Sequence, residues 1–199
     1  MDEELVARVL PGPDEDGDGG ERTLRVFDRE RYEPIDVRVG ADDAADLRPG
    51  YLLDARLDWS EPARLDAFSL RRPTLYAFAD GIDPVFEVAA DLWRDAQAKG
   101  DGMNSSVTRN TDGEVNGVCY VFADSGAGDR FREFREGTRP LEPLVDRVND
   151  AGSAPREAFV LRPADSAFVV VTIALEKGGH FADTLRETYD LDRPAEPLA

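Results

Sequence analysis

Lysine, cysteine and histidine are nearly absent from this chain. Only Lys99 and Lys177 carry an ammonium group, every other basic residue being arginine, and Cys119 and His180 are the sole residues of their types. A lone cysteine excludes an internal disulfide and any cysteine-cluster metal site. A lone histidine leaves a histidine-based metal site without its second ligand and restricts any Ser-His-Asp arrangement to His180. No G-x-S-x-G elbow occurs to supply the serine. Long apolar runs are missing too. The longest, "AFVVVTIAL", falls far short of the roughly 20 residues that span a bilayer. The first residues, "MDEELVARVL", are acidic where a signal peptide is basic, and no small-residue cleavage site follows. A soluble, cytoplasmic protein without membrane contact is expected.

Carboxylate is what the chain has in excess. Across 199 residues, 42 Asp and Glu face 24 Lys and Arg, a net charge of −18, while 41% of residues are hydrophobic. That apolar share suffices for a core, and the apolar segments are too regular for a disordered chain. A charge of this size opposes the compact state in dilute solution. At molar salt the Debye length shrinks to about 3 Å and the self-repulsion is screened. Acid excess, arginine in place of lysine, and Ala and Val in preference to larger apolar residues together resemble uncharacterised cytosolic proteins of haloarchaea. The resemblance spans the whole chain and implies a habitat, a molar-salt cytoplasm, rather than an activity. It also implies that the acidity does not exclude an anionic partner.

The first 80 residues read as strands. "LVARVL", "RTLRVF", "IDVRV", "YLLDARLDW", "RLDAFSL" and "TLYAFA" alternate apolar and polar residues between turn clusters. In "YLLDARLDW", Leu53, Ala55, Leu57 and Trp59 share one face, and Asp54, Arg56 and Asp58 the other. Five or six such strands without helices between them suggest a small closed or partly closed barrel, and "DLRPGYLLDARLDW" resembles a strand entry in OB-type or related barrels. After residue 80 the period changes. Asp83 and Pro84 are placed to cap and begin a helix carrying Val85, Val88, Ala89, Leu92, Trp93 and Ala96, with Gly100 as its stop. A polar hairpin over about 104–123 turns at Asp112-Gly113. Two helices follow, bearing Phe131/Phe134 and Leu144/Val145/Val148. "EAFVLR" and "AFVVVTIAL" are strands, the second covered on both faces, and "HFADTLRETYDL" is a last helix. The expected fold class is α+β: a barrel-like domain over 1–80, an α+β domain with a mostly antiparallel sheet over 81–191, and a flexible tail over 192–199.

Three stretches carry candidate chemistry. "DEDGDGG" at 14–20 begins like a calcium loop, but its twelfth position is Arg25 and strands flank it, so a solvated acidic loop is the better reading and no metal site is assigned. In "LEKGGHFADTL", Lys177, Gly178, Gly179 and His180 join a core strand to a helix. Backbone N–H groups at a helix start favour an anion, and Lys177 and His180 add donors, although the phosphate-loop spacing is absent. In "MNSSVTRNT", residues 103–111 carry no acid at all. Ser106, Thr108 and Asn110 would share one strand face with Val107 and Arg109 on the other, either as a row for a small polar or anionic ligand or as ordinary cross-strand pairs. Cys119 lies among apolar neighbours in "GVCYVF" and reads as an inert core thiol.

No catalytic constellation and no cofactor motif emerge. The leading reading is therefore a non-enzymatic adaptor or ligand-binding protein, with an anionic small molecule or a protein as partner. The second is an enzyme or sensor that binds a phosphorylated or carboxylated small molecule at the Gly178-Gly179 turn. Nucleic-acid binding through the barrel ranks third. Arg25, Arg38, Arg56, Arg71 and Arg72 with Tyr32, Tyr51 and Trp59 could serve it, but acids are interleaved with all of them and counterion release fades at high salt.

Overall fold

The computed structural model describes residues 2–13, 20–124, 126, 128–149, 154–165 and 167–199; all but the last residue of the acidic stretch 14–20 lies outside them. The chain forms two compact units that are discontinuous in sequence. One comprises Met1–Leu75, Arg135–Pro140 and Pro194–Ala199, the other Tyr76–Phe134 and Leu141–Arg193.

Alternating apolar side chains close the first unit into a barrel. Its elements are β1 (Asp2–Leu10), β2 (Glu21–Asp28), β3 (Glu33–Gly40), α1 (Ala41–Asp46), β4 (Leu52–Asp58) and β5 (Arg64–Arg72). The strands run β1-β2-β3-β5-β4 and back to β1, antiparallel except where β3 meets β5. A helix, α1, lies between β3 and β4 in the chain. Leu53, Ala55 and Leu57 point inward with Leu5, Ala7, Val9, Val26, Val37, Val39 and Leu65, while Asp54 and Arg56 face out. Each such fully buried Leu or Val contributes about 1.5–3 kcal/mol. The helix α1 was not expected. Its sequence, ADDAAD, buries no residue, so no apolar stripe announces it. Gly137 belongs to this unit: its φ is +80°, and a Cβ there would run into the Leu10 side chain. The last residues are tied down as well. Arg48 Nε donates to Ala195 O at 2.6 Å, and the Tyr51 hydroxyl donates to Glu196 at 3.1 Å.

The second unit is a five-stranded sheet with helices on both faces. Its elements are β6 (Leu75–Ile82), α2 (Glu87–Lys99), β7 (Met103–Arg109), β8 (Val115–Ala123), α3 (Arg130–Glu136), α4 (Glu142–Asn149), β9 (Glu157–Pro163), β10 (Phe168–Ala174) and α5 (His180–Thr188). The order is β6-β9-β10-β8-β7, with β9/β10, β10/β8 and β8/β7 antiparallel. Thus β10 is central, all seven of its residues are buried, and β7 is an edge. On one face Ala89, Leu92, Ala182 and Leu185 pack against Cys119, Val121, Phe159 and Val170. On the other, Phe131 meets Phe78 edge-on and Phe134 meets Phe122, with ring centroids 6.1 and 5.4 Å apart.

The start of α2 differs from expectation. The helix begins at Glu87 rather than behind Asp83-Pro84, and no side chain caps it. The Phe86 N–H instead donates to the Tyr189 hydroxyl at 3.1 Å. A tertiary acceptor has taken the cap's place. Gly100 ends the helix as expected, with φ +74°. Val88, expected in the stripe, is 36% exposed.

Candidate functional site

A strand as apolar as β10 must leave the core through a turn, and the glycines of 175–179 supply it. Gly178 has φ +69°, open only to residues without a Cβ or to strained ones. Its N–H points at a carboxylate of the protein itself. Gly178 N donates to Glu157 Oε2 at 3.1 Å. Glu157, first residue of β9, is completely buried. Its Oε1 accepts from Arg186 Nε of α5, and its Oε2 also accepts from Arg193 Nη1 at 3.1 Å. Arg186 in turn donates to the carbonyl of Asp192, and Arg193 Nη2 to Asp183 at 2.6 Å. The buried carboxylate therefore has two guanidinium groups and a backbone amide, the set a buried charge requires.

Lys177 is half-buried, and His180 is exposed as the first residue of α5, its carbonyl accepting from Thr184. Glu176 leans over Gly179, where a Cβ would meet its side chain at 2.9 Å. A carboxylate thus already faces the positive end of α5. A hollow of about 290 Å³ carries Asp183, Glu187, Asp190 and Asp192 along with the two arginines.

The acid-free stretch is β7, and its side chains divide as alternation requires. Thr108 turns inward, 4% exposed, and donates to Asn116 at 2.8 Å. It and Phe181 both press on Gly117, so the hairpin and the start of α5 share one corner of the unit. Arg109 is exposed and donates to Gly113 O at 2.8 Å. Asn110 builds the turn, its Oδ1 accepting from the N–H groups of Asp112 and Glu114. As the edge strand, β7 has backbone groups facing away from β8 at alternate residues. Two of them are met from within the strand: Ser105 N–H by Asn104 Oδ1 at 2.9 Å, and Val107 O by the Ser106 hydroxyl at 3.2 Å. Met103 and Val107 on the same side are 50% and 44% exposed, and Val115 at the start of β8 is 40% exposed. Half of the six large apolar side chains exposed among the described residues gather on this hairpin.

Elsewhere, Cys119 and Tyr51 are buried, and Arg25, Arg71 and Trp59 have partners. Cys119 is fully buried, and burial pushes its thiol up to about 12, leaving no thiolate to react. On the barrel, Arg25 pairs bidentately with Asp36 at 2.7 and 2.8 Å and Arg71 pairs with Asp54. Tyr51 is buried, and burial beside Glu196 pushes its hydroxyl up to about 12. Trp59 donates to Glu3 at 2.6 Å, with the Arg31 guanidinium 4.5 Å from its ring. Of the three rings named for stacking, Tyr32 is 52% exposed, and it meets Phe27 edge-on with ring centroids 5.2 Å apart. A surface groove of about 520 Å³ between β1, β4 and β5 has Val6, Ala55, Ala67 and Phe68 in its lining, with Glu4, Glu30 and Asp54 against a single Arg56. No cluster of His, Cys, Asp and Glu suited to a metal occurs among the described residues, and no helix among them is long and apolar enough to cross a membrane.

Glu157, Arg186 and Arg193 were not singled out by sequence reasoning. Their one local signal is a glutamate at the head of an otherwise apolar strand, in "REAFVLR". Neither a curated protein nor a solved structure matches the chain. The profile of one protein family matches residues 3–194, nearly the full length, and the chain belongs to that family, a family of unknown function (DUF6663).

Proposed function

We propose that this protein is a non-enzymatic adaptor of a salt-rich cytoplasm, and that it holds a protein partner by strand addition along β7. One observation carries the reading: an edge strand without a single acidic residue in a chain of net charge −18. Natural edges are normally blunted by charge, proline or a covering element. Here Met103, Ser105, Ser106 and Val107 stand exposed, and the only charge is Arg109. Backbone groups along such an edge give affinity to an added strand, and alternate side chains give selectivity. The anion-binding reading is less well supported, because Glu157 fills the position a phosphate would take. Nucleic-acid binding is less well supported too, because Tyr51 is buried and Trp59 is tied to Glu3.

The test is fluorescence anisotropy with a library of labelled extended peptides in molar potassium chloride, on the wild type and on Val107→Pro. Proline is tolerated at sheet edges but removes an N–H. Saturable binding of acid-poor peptides, lost in Val107→Pro, is the expected result. Absence of binding across the library by a monomeric wild type, or equal binding by the variant, refutes the reading. The salt-rich setting has its own check: circular dichroism should show folding strengthened by potassium chloride, and complete folding in dilute buffer with no gain from salt would refute that part.

A further inference from the structure

We infer that the strand added to β7 is β7 of a second copy, the two paired antiparallel about a two-fold axis through Ser106. The inference rests on the adaptor reading above and names its partner. Two-fold interfaces are the commonest in soluble assemblies, and they bring one patch against itself. Two identical strands related by such an axis are necessarily antiparallel.

The register follows from which backbone groups face out. Ser105 N–H and Val107 O are met by side chains of their own strand, so the odd-numbered residues of β7 turn their backbone groups away from β8. Odd must therefore meet odd. Only one two-fold register engages all of Met103–Arg109: Met103 opposite Arg109, Ser105 opposite Val107, and Ser106 opposite itself. The local bonds from Asn104 and Ser106 are then exchanged for ladder bonds of better geometry.

Charge selects the occupant. A cationic partner would be drawn to the carboxylates that cover this chain, not to the strip that lacks them. Salt screens acidic surfaces at a distance but not within a contact, so a strongly acidic partner packs best where carboxylates are missing, and a second copy is such a partner, net −18. In the register above, Arg109 stands opposite Met103 and one step from Asp101 of the second copy, so each guanidinium meets a carboxylate of the other chain. Such diagonal neighbours lie within reach of long side chains. The half-exposed Met103 and Val107 become covered by the methylenes of Arg109 and by Ser105 across the axis.

Sedimentation equilibrium in molar potassium chloride tests this with the full chain. The wild type is expected to dimerise, Arg109→Asp to weaken the dimer by about tenfold, and Arg109→Asp combined with Asp101→Arg to restore it. Ser106→Cys should give a disulfide-linked dimer under mild oxidation, in a Cys119→Ala background because Cys119 lies across from Ser106 on β8. A wild type that stays monomeric overturns the inference, as does a dimer indifferent to Val107→Pro or one that forms no bond at position 106. If a monomeric wild type still takes up the extended peptides, self-pairing alone has failed; if it takes up none, the adaptor reading has failed with it.

Discussion

The amide of Gly178 and the carboxylate of Glu157 are hydrogen-bonded at 3.1 Å across the exit of the central strand. The turn's amide is therefore taken by a carboxylate of the chain itself. The consequence is energetic: Glu157 is buried with Arg186 while the exposed Arg193 reaches in to it, and a buried ion pair broken from one side leaves an uncompensated charge.

Glu157→Gln should accordingly lower the unfolding free energy by about 3–5 kcal/mol. His180→Ala, on an exposed side chain, should stay within about 0.5 kcal/mol. Urea denaturation in molar potassium chloride measures both. A wild-type melting temperature that rises with inorganic phosphate would contradict the occupancy of the turn by Glu157, since a ligand stabilises only by binding the folded state.

Gly117 is constrained by packing rather than by dihedral angles. A Cβ there would lie 2.6 Å from Thr108 Oγ1, 2.7 Å from Phe181 Cε1 and 2.8 Å from the backbone carbonyl of Ile173. The two side chains can shift, but the carbonyl belongs to the central strand and cannot. Gly117→Ala should therefore destabilise by about 1–3 kcal/mol. Truncating Phe181 in the same chain should not restore the loss. A fully rescued double variant in thermal melts would show that the side chain, not the carbonyl, sets the limit.

What the sequence revealed and concealed follows from the range of each interaction. The barrel strands were legible because their information is local: Leu53, Asp54, Ala55, Arg56 and Leu57 alternate whatever else the chain does. The edge strand stood out because 103–111 is acid-free against an acidic background, so an absence was itself a signal. The beginning of α2 was not legible. Asp83-Pro84 has every local mark of a helix start, but the acceptor for Phe86 N–H is Tyr189, 103 residues away. Glu157 was hidden for a similar reason. Among 42 acidic residues nothing local separates a buried carboxylate from solvated ones, and its arginines lie 29 and 36 residues further on.

Cys119 should be chemically silent in the folded chain. It is completely buried and its thiol is pushed up to about 12, so the reactive thiolate is negligible near neutral pH. A maleimide or disulfide reagent should label the protein only as fast as it unfolds, and the labelling should become rapid in denaturant. Rapid labelling under native conditions would mean that β8 opens readily next to the edge strand.

Arg162 gives the second unit a dependence on acid. Its guanidinium bridges Asp80 of β6, through Nε at 2.6 Å, and Asp129, through Nη1 at 2.9 Å. It also lies 4.8 Å from the ring of Phe131. The hydrogen bond from Arg162 holds Asp80 below its ordinary carboxylate range. The N–H of Arg132 first, and then Arg162, do the same for Asp129. Both groups thus bind protons less readily folded than unfolded. Their contribution is fully present above the unfolded value, about 3.9, and disappears as pH falls through the lower folded values. Both carboxylates are about half exposed, so solvent screening keeps the effect modest. Arg162→Met should therefore be less stable than the wild type at neutral pH, and the gap between them should narrow as pH falls below about 4. A gap that is constant from pH 7 to pH 2 would assign the loss to the contact with Phe131 instead of the two carboxylates.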